Sequence, residues 1–302
     1  QRSFFGADKW SICGVTHTTS SARAMDAITS WVTQPLNSWD AIICPSNAVK
    51  QNVELVFQTE LARLEKRLGI TKCPMPQLPV IPLGVRTDDF RFNQAQRINA
   101  RHSLGIKEKT FVVLFVGRLS FHAKANPLPM YKALETLSNK TGADVRLIEC
   151  GWHATEGIEA AYEMAHRQLC PSVQVTVLDG RNKENRDMAW ASADVFCSLP
   201  DNIQETFGIS PIEAMAASLP VIVSDWNGYK DTVTAECGYR ITTSMPAPGL
   251  GNDLAYRHAT QCDDYDYYCG HTGTFIGVDV SECCSALEAL YLDSTLRLKM
   301  GA

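Results

Sequence analysis

Residues 111 to 116 read Phe-Val-Val-Leu-Phe-Val, an apolar run followed at once by Gly117 and Arg118. An apolar run without polar alternation predicts a strand buried on both faces, which is typical of a parallel sheet covered by helices. Similar runs predict further strands at 12–16, 41–44, 80–81, 145–150, 173–178, 195–198 and 221–224. Helical patterns separate them, at 52–68, 129–139, 157–168 and 184–192. This alternation predicts an α/β, doubly wound architecture.

The domain organisation follows from length and from one shift in composition. The chain has 302 residues, enough for two domains of ordinary size. Turn-forming residues and a polar run fill the stretch between 81 and 110, after which a new series of strand and helix patterns begins. We therefore predict a first Rossmann-like domain over 1–85, an interdomain linker over 86–109 and a second Rossmann-like domain over 110–302.

Bulk composition excludes several classes of function. The formal net charge is −5, which disfavours a nucleic-acid partner because duplex binding needs a concentrated basic surface. The apolar runs are far shorter than the roughly 20 residues that a membrane helix needs. The 11 cysteines include no Cys-x-x-Cys pair, which favours free thiols in the cytoplasm over disulfides or a zinc site. The chain opens with Gln1 and ends within a helical pattern, so we expect a fragment of a longer protein.

The stretch 249–277 differs in composition from the rest of the chain. It is rich in Asp, Tyr and Gly, with Asp263 to Tyr268 at its centre. A ligand could stack on its tyrosines, but the composition favours a solvated loop or excursion on the surface.

The stretch 201–217 carries the strongest signal for a ligand. It follows the predicted strand 195–198, at the edge where open α/β sheets bind ligands. Ser210, Pro211 and Glu213 match the N-cap, first and third positions of a capping box, which predicts a helix from Pro211. The free N–H groups of such a helix start bind phosphate.

Two carboxylates, Glu205 and Glu213, flank this helix start. Glu213 either completes the capping box or accepts hydrogen bonds from sugar hydroxyls, and both accounts stay open. Gly208 lets the backbone approach a ligand closely. The cations Arg118 and Lys124, which follow the strand 111–116, suit a diphosphate, with solvated surface cations as the alternative.

Three motifs occur in one order along the chain. They are Ile-Pro-Leu-Gly-Val at 81–85, Gly-Arg-Leu with a following lysine at 117–124, and the Glu-x7-Glu pair of 205–213. The ordered set resembles the family-4 retaining glycosyltransferases over residues 12–300. The resemblance implies a GT-B fold, in which two Rossmann-like domains face a cleft, the first of them here incomplete. Leu83 stands where that family commonly has Asn, and Ser218 where Gly is usual.

The resemblance also implies partners and roles. The co-substrate is a nucleoside-diphosphate sugar without metal or other cofactor, and the acceptor is a saccharide or lipid-linked, which would bring peripheral membrane contact. Arg118 and Lys124 match the pair that holds the diphosphate, Glu205 the contact to donor-sugar hydroxyls and Glu213 the contact to ribose. The remaining matches are the backbone of Phe207, Gly208 and Ile209 beside sugar or phosphate, Arg181 near the base, and His17 near the sugar.

The expected reaction is hexosyl transfer to an acceptor hydroxyl with retention of configuration, in which the leaving phosphate helps to deprotonate the acceptor. A sugar-nucleotide epimerase, a glycan phosphorylase and a non-catalytic nucleotide-sugar-binding fragment remain alternatives. His17 alone would be a structural histidine, and Ser46 is predicted to be a helix cap.

Overall fold

The computed structural model describes residues 2–19, 21–202 and 205–302. Contacts within the chain divide these residues into two units. Unit 1 contains the described residues of 1–84 together with 205–207, and unit 2 contains 85–202 with 208–302.

Unit 1 is a small parallel sheet with helices. Its elements are α1 (Arg2–Phe5), β1 (Cys13–Val15), α2 (Ala22–Ser30), β2 (Ala41–Ile43) and α3 (Asn47–Leu68). Strands β1 and β2 pair in parallel. The predicted strand at 80–81 is a single parallel bridge between Val80 and Cys44. Ser46 caps α3 by accepting a hydrogen bond from the Val49 N–H at 3.2 Å, so the predicted helix cap is confirmed.

Unit 2 alternates strands and helices along most of its length. Its strands are β3 (Phe111–Val116), β4 (Val145–Gly151), β5 (Gln174–Asp179), β6 (Val195–Ser198), β7 (Val221–Ser224), β8 (Gly238–Ile241), β9 (Thr243–Ser244) and β10 (Gly277–Val278). Its helices are α4 (Gln94–Ser103), α5 (Leu128–Thr141), α6 (Glu156–Leu169), α7 (Lys183–Ser192), α8 (Ile209–Ala216), α9 (Tyr229–Thr232), α10 (Asn252–Ala259), α11 (Tyr265–Gly273), α12 (Val280–Leu292) and α13 (Ser294–Gly301).

Six of these strands form one parallel sheet in the order β5-β4-β3-β6-β7-β8. From β3 the strands are added first toward one edge of the sheet (β4, β5) and then toward the other (β6, β7, β8). The boundary between β3 and β6 is therefore the topological switch point, at which doubly wound sheets bind ligands. The predicted α/β, doubly wound class is therefore confirmed for this unit. Strand β8 was not predicted, because Gly-Tyr-Arg-Ile lacks a continuous apolar run.

The central strand β3 is buried on both faces. Phe111, Val113 and Phe115 pack into one apolar cluster with helices α5 and α12, and Val112 and Leu114 pack into another with α7 and α8. Alternate side chains of a strand point to opposite faces, so a sheet covered on both sides requires apolar residues at every position. Two hydrophobic layers thus hold the carboxyl edge of the sheet in place.

The stretch 249–277 was predicted to be a loop or excursion on the surface; most of its residues are exposed, but it is not a loop. It folds into helices α10 and α11 with a short connection. Asp264 caps α11 through the Tyr267 N–H at 2.7 Å, and Arg257 makes two hydrogen bonds of 2.7 Å with Asp263. Local polar contacts therefore stabilise a helical hairpin in a stretch whose hydrophobic periodicity is weak.

The segment 86–109, predicted to be a linker, contains helix α4. Arg97 and Arg101 of that helix both contact Asp194, at 2.6 and 3.3 Å, and Asp194 accepts the N–H of Val112 at 2.8 Å. These bonds tie α4 to strands β3 and β6 of unit 2. Within the described ranges, no helix is both long and apolar enough to cross a bilayer.

Candidate functional site

Helix α8 begins at Ile209, two residues before the predicted start. Gly208 takes the N-cap position with a φ of +79°, and the start has no side-chain cap hydrogen bond. The predicted capping box of Ser210 and Glu213 is therefore wrong. Pro211 still lies in the first turn, where its missing N–H is unneeded. Glu213 falls in the second turn, so it does not cap the helix.

Glu213 lies half-buried on α8. Burial raises the pKa of its carboxyl group, and the nearby Arg186 guanidinium opposes that rise. Arg186 is held in turn at the end of β5, where it donates to the carbonyl oxygens of Gly180 at 2.7 Å and Arg181 at 3.1 Å. Sequence reasoning missed Arg186, because it lies inside a helical pattern rather than directly after a strand.

Arg118 follows β3 at the carboxyl edge of the sheet, and its side chain is exposed. The turn that carries it lies against the end of β4, because a Cβ at Gly151 would be 1.9 Å from the Gly117 carbonyl oxygen. The N–H of Gly117 donates to the Cys150 carbonyl at 3.1 Å. A glycine at 151 is therefore required for the close approach of the β4 end to the Gly117 backbone, which immediately precedes Arg118.

Lys124 is half-buried in the segment between β3 and α5. Its carbonyl oxygen accepts a hydrogen bond from the Asn202 side-chain amide. Two residues on, the Asn126 N–H donates to Asp201 Oδ1 at 3.1 Å. The segments that follow the neighbouring strands β3 and β6 are thus joined directly, which places Lys124 beside the start of the stretch that leads to α8.

Asp201 is a buried carboxylate in this connection. It is 5% exposed, and burial raises its pKa from 3.8 to about 6. The signal that sequence reasoning could have used is the placement of two polar residues, Asp201 and Asn202, directly after a buried strand.

Arg181 lies at the far end of the sheet, after β5. Its exposed guanidinium makes hydrogen bonds of 2.9 and 2.8 Å with Asp179, which raise the pKa of Arg181. Strands β4 and β3 separate β5 from β6. The sheet order therefore separates Arg181 from the Lys124 segment, whereas Arg186, which donates to the Arg181 carbonyl oxygen, lies near Glu213 of α8. The role of Arg181 at the base stays a prediction.

Three of the predicted residues belong to unit 1. His17 is exposed, whereas Glu205 and Phe207 are buried at 7% and 3% exposure. The intervening Thr206 donates from Oγ1 to the His17 carbonyl at 3.4 Å and accepts from Ser46 Oγ at 2.6 Å. The structure thus brings the Glu205 segment together with the His17 segment within unit 1. Gln204 and Ile203 of the same stretch lie outside the described residues.

Chemically, the edge of unit 2 offers cations, the N–H groups at the start of α8 and two carboxyl groups whose pKa values burial raises, those of Asp201 and Glu213. Cations and helix N–H groups stabilise a phosphate, and carboxylates accept hydrogen bonds from sugar hydroxyls. In the part of the chain that the structure describes, no three His, Cys, Asp or Glu side chains are grouped to hold a metal ion.

Comparison with known proteins finds similarity to glycosyltransferases. Residues 96–245 match the model of the family described as Glycosyl transferases group 1. The chain is 32% identical over 144 residues to a D-inositol 3-phosphate glycosyltransferase of Rhodococcus erythropolis, a match that covers 47% of this chain and 32% of the relative. The matched regions span 45% and 32% of the first two curated relatives, less than half of their length.

Two solved structures share the fold. WaaG, a glycosyltransferase involved in lipopolysaccharide biosynthesis, superposes with a TM-score of 0.59 at 18% identity, covering 94% of this chain and 62% of WaaG. HepE from Anabaena, solved with UDP and glucose, superposes with a TM-score of 0.52 at 18% identity, covering 96% of this chain and 68% of HepE. The chain has the GT-B fold, and the family match supports a place in the GT-B glycosyltransferase superfamily.

Proposed function

We propose that this chain supplies the donor-binding part of a retaining family-4 glycosyltransferase, which moves a hexosyl unit from a nucleoside-diphosphate sugar to an acceptor hydroxyl. One observation carries the proposal. The Lys124 segment after β3 is hydrogen-bonded to the 201–202 segment after β6, whose continuation starts α8 with Glu213. The match of 96–245 to glycosyltransferases supports the same function.

In unit 2, Arg118 and Lys124 would hold the diphosphate and offset the charge that develops on it as it leaves. The backbone N–H groups at Gly208 and Ile209 would add hydrogen bonds at the start of α8. Glu213 would accept hydrogen bonds from the ribose hydroxyls, a role that fits its absence from the helix cap. One hydrogen-bond donor or cation aimed at the developing negative charge contributes about 3–4 kcal/mol of transition-state stabilisation.

The remaining donor contacts are assigned residue by residue from the resemblance. Glu205 would hold hydroxyls of the donor sugar, the Phe207 backbone would contact sugar or phosphate, and His17 would lie near the sugar. Arg181 would contact the base. These four assignments rest on the sequence resemblance. We also propose the domain boundaries 1–85, 86–109 for the linker, and 110–302.

The reaction breaks the bond between the anomeric carbon and the diphosphate oxygen, and the diphosphate leaves with the electron pair. The acceptor oxygen bonds to the same carbon on the face that the diphosphate leaves, so configuration is retained. The acceptor proton passes to an oxygen of the leaving diphosphate. Because the cations neutralise that group, we propose no metal and no cofactor besides the nucleotide sugar.

We propose a cytoplasmic enzyme that acts on a saccharide or on a lipid-linked acceptor, with peripheral membrane contact in the second case. Seven of the 11 cysteines are buried as thiols rather than as disulfides. Free thiols suit a reducing compartment. This supports the proposed location.

The donor site is tested by titrating the 302-residue chain with UDP, GDP and ADP, with calorimetry and thermal unfolding as readouts. One nucleotide should bind, and at about 100 times its dissociation constant it should add about 2.7 kcal/mol of stability. Lys124→Ala and Glu213→Ala should weaken binding, whereas Lys132→Ala, an exposed cation on α5, is the matched control. A folded chain that binds none of the three nucleotides would refute the proposal.

The reaction class is tested with the corresponding labelled nucleotide sugar. A transferase makes product only when an acceptor is present, and NMR of the new linkage reports its anomeric configuration. An epimerase converts the donor without an acceptor, and a phosphorylase depends on inorganic phosphate. A non-catalytic binding fragment binds the donor and turns over nothing.

A further inference from the structure

We propose that Asp201 and Asn202 are positioning residues, which hold the Lys124 segment where its cation meets the diphosphate. The inference rests on the proposed function and adds to it two residues outside the donor contacts assigned above. Both are buried, at 5% and 1% exposure, in a segment that directly follows the central strand β6.

The first support is the pair of bonds from this segment to the one after β3. Asp201 Oδ1 accepts the Asn126 N–H at 3.1 Å, and the Asn202 side chain donates to the carbonyl oxygen of Lys124 itself. These bonds fix the backbone on both sides of Ala125. The long lysine side chain therefore starts from a fixed backbone position, which reduces the freedom that it loses when it binds.

The second support is that the 200–202 segment is itself anchored. The Asn202 carbonyl oxygen accepts from Trp226 Nε1 at 2.9 Å, and Ser224 Oγ donates to the Pro200 carbonyl at 2.8 Å. Ser224 is the last residue of β7, the next strand in the sheet, and Trp226 follows that strand. A continuous chain of hydrogen bonds therefore runs from the end of β7 through 200–202 to Lys124.

The third support is a contact from helix α11. A Cβ at Gly273 would be 3.7 Å from the Asp201 carbonyl oxygen, and one at Gly270 would be 3.5 Å from His122 Cβ. Helix α11 thus packs over both joined segments, and His122 Nε2 lies 3.8 Å from Asp266 on that helix. The packing of α11 against these segments restricts the movement of the Lys124 backbone.

The roles of the two residues differ in what a substitution removes. Asp201→Asn keeps an oxygen that can accept the Asn126 N–H, whereas Asp201→Ala removes it. Asn202→Ala removes the donor to Lys124 but leaves the backbone carbonyl that Trp226 binds. A positioning role therefore predicts that Asp201→Asn behaves like the parent while both alanine variants are impaired.

The test compares the nucleoside diphosphate that the parent chain binds with the matching nucleoside, which lacks the diphosphate. Asp201→Ala and Asn202→Ala should each weaken the diphosphate by about tenfold, the effect of one hydrogen bond, and leave nucleoside affinity unchanged. Asp201→Asn should stay within about twofold. In a Lys124→Ala background, Asp201→Ala should cost little more, because the group that it positions is gone.

Three results would overturn the inference. They are unchanged diphosphate affinity in both alanine variants, an equal loss for nucleoside and diphosphate, or losses that add fully to that of Lys124→Ala. Thermal unfolding identifies a variant that fails to fold, in which case Asn202→Ser and the Asp201→Asn comparison carry the test. If the parent binds no nucleoside diphosphate, the proposed function fails instead, so the two failures are distinguishable.

Discussion

Gly208 lies against the ring of Tyr229 so closely that a Cβ at residue 208 would be 1.7 Å from Tyr229 Cε1. The ring cannot move aside freely, because its hydroxyl group is 3.1 Å from Ser198 Oγ at the end of β6. Gly208 also has a φ of +79°, a region that costs other residues about 1–2 kcal/mol. Any residue other than glycine at position 208 would therefore require the backbone at the start of α8 or the Tyr229 ring to shift.

This relationship predicts that Gly208→Ala weakens nucleoside diphosphate binding by at least about tenfold, because strain and steric clash displace the N–H groups at the start of α8. Calorimetry measures the loss. Gly251→Ala is the control, since a Cβ there meets no atom within 4 Å. An affinity of Gly208→Ala equal to that of the parent would show that the α8 start does not contact the ligand.

Glu213→Gln should raise stability and lower nucleotide affinity. Burial raises the pKa of Glu213, so the folded state holds its proton more tightly and the charged form is disfavoured. The gain in unfolding temperature should therefore be present near pH 8 and vanish as the pH falls below about 4.5, the ordinary value. Affinity falls because an amide oxygen is a weaker acceptor than a carboxylate. Glu236→Gln, at an exposed position, should change neither quantity.

Asp201→Asn should stabilise the chain in a pH-dependent way. Since the pKa of Asp201 rises from 3.8 to about 6 on folding, its contribution to stability is fully present below about pH 4 and is lost as the pH rises through 6. Removing the charge should then add up to about 3 kcal/mol above pH 6, from roughly 1.4 kcal/mol per pKa unit. Urea unfolding at pH 4 and pH 8 measures this. Asp88→Asn, in an exposed ion pair, serves as the control, and an equal gain at both pH values would contradict the assignment.

The anchor of helix α4 gives a prediction about stability alone. Asp194→Ala leaves Arg101, whose side chain is 9% exposed, without its carboxylate and also removes the acceptor for the Val112 N–H. Breaking a buried pair in this way costs about 3–5 kcal/mol. Asp187→Ala breaks the exposed pair with Lys183 and should cost less than about 1 kcal/mol. Urea unfolding curves of the two variants would test whether 86–109 is structurally part of unit 2.

The sequence predicts the sheet of unit 2 better than it predicts the start of α8. Strand β3 was predicted within its observed bounds, because burial on both faces leaves a continuous apolar run. The helix start was placed two residues late, because Ser210 and Pro211 are good capping types, whereas Gly208 reaches the N-cap through a positive φ that a sequence pattern does not reveal.

The site shows the same limit. The binding roles of Arg118 and Lys124 stay predictions, and both residues were predicted from their position after β3. Asp201, Asn202 and Arg186 were not, because each acts through a hydrogen bond or a charge that depends on how neighbouring segments approach one another. Helices α10 and α11 were missed for a related reason, since their stability depends on ion pairs and caps more than on an apolar periodicity.

Trp226 donates to the Asn202 carbonyl oxygen, and the Asn202 side chain donates to the Lys124 carbonyl oxygen. These bonds also constrain which segments can be exchanged with a relative in a chimaera. A chimaera that takes the 200–202 segment alone from a relative without asparagine at position 202 would keep the cations but lose the amide donor to the Lys124 carbonyl oxygen. The segments after β3, β6 and β7 therefore depend on one another for their hydrogen bonds. We expect donor preference to be transplanted between relatives only when all three segments are moved together.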